Sequence, residues 1–224
     1  MDWQAIWLSV RLAVSTTIIL LVLGMPLAYW ITFSRWRWKF LVEAVVSLPL
    51  VLPPTVLGFY VLLAIGPRSP AGALYARITG GMLPFSFQGL LVASVLYSLP
   101  FTVQPVAAGF AAVDRRLLEA SWCLGVSHLS TFRRVLVPLA MPGIATGAIL
   151  SFAHTMGEFG VVLMVGGNIA GVTRTVSISI YDQVQALNYG AAAETSLFLL
   201  GLSFTVLALT YALQRRIWSV WPLS

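Results

Sequence analysis

Two sets of residues in this chain have types and spacings that could do chemistry. His154 and Glu158 stand four apart in Ser151-Phe152-Ala153-His154-Thr155-Met156-Gly157-Glu158-Phe159-Gly160, which places them on one face if that segment is a continuous helix. An imidazole and a carboxylate so placed could move a proton, but no nucleophile accompanies them in a recognisable local context. No ligand set stands at zinc-site spacing, so no metal is expected. The second set is Thr173-Arg174-Thr175, one cation between two hydroxyls, suited to a tetrahedral oxyanion or to contact with another protein. A Gly-x-x-x-x-Gly-Lys-Ser/Thr loop is absent, so this chain is not expected to hydrolyse ATP or to hold a cofactor of its own. The single cysteine, Cys123, excludes an internal disulfide and reads as a packing residue.

The elements that position these residues follow from composition. The chain is 59% hydrophobic and 9% charged, with mean hydropathy +0.91. Soluble domains carry about 25% charged residues, so there is too little polar surface here to cover a globule in water. Five segments are long and apolar enough to cross a bilayer core of about 30 Å: roughly 6–33, 41–65, 89–113, 142–165 and 191–213. The first is too long for the apolar core of a signal peptide and has no basic stretch before it, so it reads as an uncleaved span. The expected fold is all-α, one polytopic transmembrane helical bundle of about five spans.

Basic residues set the orientation. Arg35, Arg37, Lys39, Arg115, Arg116, Arg133, Arg134, Arg215 and Arg216 fall on one side of the spans; Arg68, Arg77 and Arg174 fall on the other. Arg11 sits near the outer end of the first span, where it can snorkel. The N-terminus is therefore expected outside and the C-terminus in the cytoplasm, with residues 114–141 a cytoplasmic loop. The net charge of +6 is spread in short clusters beside apolar runs, which speaks for membrane orientation and against nucleic acid.

Prolines interrupt the spans: Pro49, Pro53 and Pro54 in the second, Pro100 and Pro105 in the third. Each removes a donor and frees a carbonyl that hydrocarbon cannot satisfy. Pro53 and Pro54 therefore mark either a packing kink or a bent helix along a transport path. In the fourth span Gly143, Gly147 and Ser151 recur every fourth residue and form a small-residue face for a close helix contact, within the chain or across a dimer. Glu158 follows on that span. A carboxylate at such depth faces protein or water rather than lipid, either as a paired packing group near a basic partner or His154, or as part of a pathway or gate with Gly157, Phe159 and Gly160.

Between the third and fourth spans lies Glu119-Ala120-Ser121-Trp122-Cys123-Leu124-Gly125, then nine residues, then Val135-Leu136-Val137-Pro138. This resembles the coupling loop of the membrane subunits of binding-protein-dependent ABC importers, with Ser121 where that family most often has alanine. The resemblance implies a type I importer permease fold, working as a homodimer with two copies of a cytoplasmic ATPase that uses ATP and Mg. It implies an extracytoplasmic binding protein and a bacterial inner-membrane location. The ATPase-coupling residues would be Glu119, Ala120, Ser121, Leu124, Gly125, Arg133, Arg134 and Pro138, with Gly143 just beyond. Gly125 is expected to end a short helix. The run Leu48-Pro49-Leu50-Val51-Leu52-Pro53-Pro54-Thr55, Gly157-Glu158-Phe159-Gly160 and Gly166-Gly167-Asn168-Ile169 with Thr173-Arg174-Thr175 together resemble the molybdate branch of that family, with the sulfate and tungstate permeases as relatives. A passive anion channel is the remote alternative, and the Glu119 segment argues against it.

Overall fold

The computed structural model describes residues 1–220, without the side chains of 209–210 and 213–220. Arg215 and Arg216, used above for orientation, lie outside the described side chains. Among the described residues three helices are long and apolar enough to cross a membrane: α1 (Trp3–Phe33), α5 (Phe87–Ala111) and the stretch Tyr189–Ala208 of the final helix. Asp2 caps α1 by accepting from the Ala5 amide at 3.0 Å, and Ser86 caps α5 through the Gly89 amide at 3.2 Å; both remove a donor that apolar surroundings would leave unsatisfied. Pro100 and Pro105 lie inside α5, which continues as one helix through both.

The second expected span is instead a broken pair. Helix α2 (Lys39–Val51) and α3 (Pro54–Ile65) meet at an angle of 116°. The two prolines explain the break. A residue before proline is pushed out of the helical region, and both Leu52 (ψ 136°) and Pro53 (ψ 136°) are extended. Pro54 then occupies the first turn of α3, where its missing N–H costs nothing. A short helix, α4 (Pro70–Thr79), separates this pair from α5.

After α5 the chain forms α6 (Arg115–Cys123), α7 (His128–Thr131), a π-helical turn (Phe132–Leu136) and α8 (Val137–Leu139). The fourth expected span then divides. Helix α9 (Met141–Gly157) ends where Glu158 turns extended (ψ 132°), and α10 (Gly160–Gly166) restarts after Phe159. Residues 142–165 are therefore not one helix, and Glu158 lies past the helix end rather than on a helical face shared with His154. Helix α11 (Val176–Gln185) and α12 (Tyr189–Val220) complete the chain.

Helices α1, α5 and α9 pack on one another; α2 lies on α5, α10 on α3 and α5, and α11 and α12 flank α1 and α9. Apolar side chains gather at two ends. One cluster holds Ala28, Val46, Val106, Phe110, Leu118, Leu136 and Ile144. At the other end, Val61, Ile65, Ala93, Val161 and Val165 form a second cluster, with Leu8, Leu12, Leu90, Val162 and Ile178 beside it.

Candidate functional site: an exposed loop joined by a polar seam to two helix breaks

The loop between α5 and α9 is built to present one face and bury the other. Asp114 caps α6 through the Arg116 amide at 2.9 Å. Leu118 is 4% exposed and joins the bundle core, while Glu119 and Ala120, the next residues round the helix, are exposed. Gly125 terminates the helix as expected, with φ +78°. Its amide donates to the Trp122 carbonyl at 2.9 Å and that of Val126 to Ser121 at 3.1 Å, the paired bonds of a Schellman end.

Ser121 has a role that alanine could not fill. Its hydroxyl shares a 2.9 Å hydrogen bond with that of buried Thr131, fastening α6 to α7. The rings of Trp122 and His128 meet at 4.8 Å between centroids. At the tip, Leu124 is 83% and Leu129 60% exposed. Arg133, Arg134 and Pro138 are exposed as well. The loop thus offers charges and apolar tips together, the mixture suited to a protein partner.

Gly143 lies apart from that surface. A Cβ there would sit 2.7 Å from the Gly109 Cα and 2.7 Å from the Pro105 carbonyl oxygen, so α5 and α9 touch backbone to backbone. Gly147 continues the contact, its position 3.0 Å from the Thr102 carbonyl. The small-residue face expected on this segment therefore packs inside the chain, against α5.

Further along the same crossing the contact turns polar. On α5, Ser94, Ser98 and Thr102 recur every fourth residue and face α9. Thr102 and Ser151 share a hydrogen bond. Ser98 meets the Thr155 hydroxyl at 3.0 Å and His154 Nδ1 at 2.9 Å. Ser94 donates to Glu158 Oε2 at 2.7 Å. His154 is further held by rings, stacked on Phe101 at 3.9 Å and tilted against Tyr97 at 4.7 Å between centroids. The partner of Glu158 is thus a serine, not the basic residue or His154 expected, because the helix ends before the carboxylate and aims it across to α5. Its Oε1 has no hydrogen-bond partner among the described residues, although the residue is only 4% exposed.

The break at Glu158 rests on the break at Pro53. A Cβ on Gly160 would fall 2.8 Å from the Pro54 Cβ, and one on Gly58 would fall 2.7 Å from the Met164 Cβ. Glycine at both places lets α3 and α10 approach. Phe159 packs on Tyr181 at 5.0 Å between ring centroids, and nothing lies within 4 Å of a Cβ built at Gly157.

In the loop 166–175 the side chains of Thr173, Arg174 and Thr175 bond within the chain. Buried Thr173 donates to the Gly166 carbonyl at 2.7 Å and accepts from the Ile169 amide at 3.1 Å. Thr175 caps α11. Arg174 Nε donates to Asn168 Oδ1 at 2.6 Å and lies 3.7 Å from Asp182. These contacts fold the loop and leave neither hydroxyl pointing outward. Sequence reasoning passed over Ser94, Ser98 and Thr102; hydroxyls at every fourth position of an apolar segment were the available signal.

Residues 20–219 match the family described as "Binding-protein-dependent transport system inner membrane component". The chain is 51% identical over 214 residues to the molybdenum transport system permease protein ModB of Azotobacter vinelandii, covering 96% of this chain and 95% of that one. It is 33% identical over 219 residues to ModB of Haemophilus influenzae, with the same two coverages of 96% and 95%. Among solved structures it resembles a bacterial ABC transporter that imports alginate (TM-score 0.77, 16% identity, 96% of this chain and 79% of that one). It also resembles an inward-facing MetNI methionine ABC transporter (TM-score 0.75, 17% identity, 97% and 96%). These structures share the type I importer fold. The chain belongs to the family of binding-protein-dependent transport system inner membrane components, the multi-pass membrane subunits of ABC importers.

Proposed function

We propose that this chain is the permease subunit of an ATP-driven molybdate importer. The observation that carries the reading is its 51% identity, over nearly its whole length, to a molybdenum transport permease. The subunit is not itself the ATPase; it works with a separate ATPase and a substrate-binding protein. On this reading two copies of the chain form the path and two ATPase copies use ATP and Mg. The N-terminus lies outside, and the loop carrying Glu119 faces the cytoplasm.

The exposed face of the loop supports docking to the ATPase, since it combines Glu119 of α6 with the apolar tips Leu124, just past that helix, and Leu129 of α7. ATP binding favours one conformer of the dimer and the loaded binding protein favours the outward-open path. Each acts only through its difference in affinity for the two conformers. Molybdate is then released inward after hydrolysis.

The test is uptake of labelled molybdate by cells expressing this chain with its ATPase and binding protein, with excess sulfate as competitor. Uptake that requires the chain and resists sulfate is the expected result. Uptake abolished by sulfate would reassign the cargo to sulfate, and absence of oxyanion uptake would overturn the cargo altogether.

A further inference from the structure

Both ends of the exposed loop lead into the seam, the second through a bend of 73° between Leu139 and Met141. Helix α5 ends at Ala111, and α6 begins at Arg115; α8 ends at Leu139, and α9 begins at Met141. The two helices leaving the loop are locked together, first by the Gly109–Gly143 contact and then by the rungs Thr102–Ser151, Ser98–Thr155 and Ser94–Glu158. A displacement of the loop therefore moves α5 and α9 as one body. That body ends at Glu158, where α9 stops and α10 begins, and where Gly160 rests on Pro54.

We propose that Glu158 is a positioning residue for transport, its hydrogen bond from Ser94 fastening the α9–α10 break to the lever formed by α5 and α9. This rests on the importer reading above and deepens it. Three observations converge on the role. Glu158 is the last rung of the seam, and its backbone is extended between two helices. Its second oxygen, Oε1, is buried without a partner among the described residues. A carboxylate that only glued two helices would be stabilised by a second donor at Oε1, because an unpartnered buried oxygen forfeits hydration without return. A group that changes neighbours as the break flexes accepts that cost in one conformer.

Without the rung, the loop and α5 can move while the break lags. ATP hydrolysis then continues with less transport per turnover. Among the described residues, Ser94 from α5 bonds Glu158, Tyr97 of α5 lies close enough to interact with its charge, and one rung away stand Ser98 with Thr155 and His154.

The experiment uses the full complex with its ATPase and binding protein in proteoliposomes, measuring molybdate uptake and ATP hydrolysis together. Ser94→Ala and Glu158→Ala should each lower uptake per ATP about five- to tenfold, the population shift expected when one buried hydrogen bond no longer favours a conformer. Ser94→Thr, which keeps the hydroxyl, should restore the ratio to within about twofold of the parent. Assembled complex and basal hydrolysis should hold near the parent level in Ser94→Ala. An unchanged ratio in Ser94→Ala, or parallel loss of uptake and hydrolysis there, would overturn the proposal. Parent complex that hydrolyses ATP without carrying molybdate would instead sink the functional reading on which the proposal rests.

Discussion

The loop from Asp114 to Leu139 and the break between α9 and α10 both interrupt long apolar segments, and they satisfy their polar groups in opposite ways. The loop turns outward. It closes its helix ends locally, with Asp114 at one end of α6 and the Gly125 turn at the other, and leaves Glu119, Leu124 and Leu129 for a partner. The break turns inward. Glu158 reaches across to Ser94 on another helix, and Gly160 receives Pro54 from a third. The loop closes its own helix ends and leans on the bundle only through Leu118, whereas the break takes its polar partner and its close packing from neighbouring helices. Substitutions in the two regions should therefore fail differently.

The largest effect is expected where the two regions are joined. Gly143→Leu would drive side-chain atoms into the backbone of Gly109 and Pro105, where neither can retreat. The cost should be about 3 kcal/mol, read as loss of assembled complex in detergent and a lowered Tm. A well-assembled Gly143→Leu complex would show that the α5–α9 contact is looser than its geometry implies. Next comes Glu119→Lys, which reverses the exposed charge on α6 and leaves the bundle untouched. Docking of the ATPase should weaken about tenfold, near 1.4 kcal/mol, with insertion of the permease unchanged. Full co-purification of the ATPase with that variant would remove α6 from the interface. The smallest effect belongs to Gly125→Ala. Nothing lies within 4 Å of the added carbon, so only the left-handed backbone opposes it, at about 1 kcal/mol. A shift of a few degrees in Tm with uptake nearly intact would confine Gly125 to ending the helix.

Much of the loop could be read directly in the chain, because its signals are local. Glu119 to Gly125 with Pro138 is a motif of one short stretch, and the left-handed Gly125 follows from its place at a helix end. The long helices α1, α5 and α12 were equally visible, since a run of apolar residues needs no partner to declare itself. The breaks were harder. Pro53 and Pro54 marked one of them, yet Pro100 and Pro105 stand in the same kind of segment, and α5 passes through both unbroken; a proline signals a lost donor, and neighbouring helices decide whether the axis turns. Glu158 had no proline to announce that α9 stops before it. The seam was hardest of all. Ser94 and Glu158 are 64 residues apart, and their pairing depends on the register in which α5 crosses α9, which no local pattern encodes. The same holds for Gly143, whose spacing marked a close contact without naming Gly109 as its partner.

On the proposed docking of α6 to the ATPase, the anchoring of this helix has a consequence for anyone who wishes to block the importer from that side. The helix is 9 residues long, shorter than the ~12–15 at which isolated helices begin to hold in water. Its shape depends on Leu118 in the core and on the Ser121–Thr131 bond. A linear peptide copying residues 114–126 would lose both and compete poorly as an inhibitor. A useful mimic would have to hold Glu119 and Leu124 on a cyclised or stapled frame, supplying by synthesis the rigidity that the bundle supplies here.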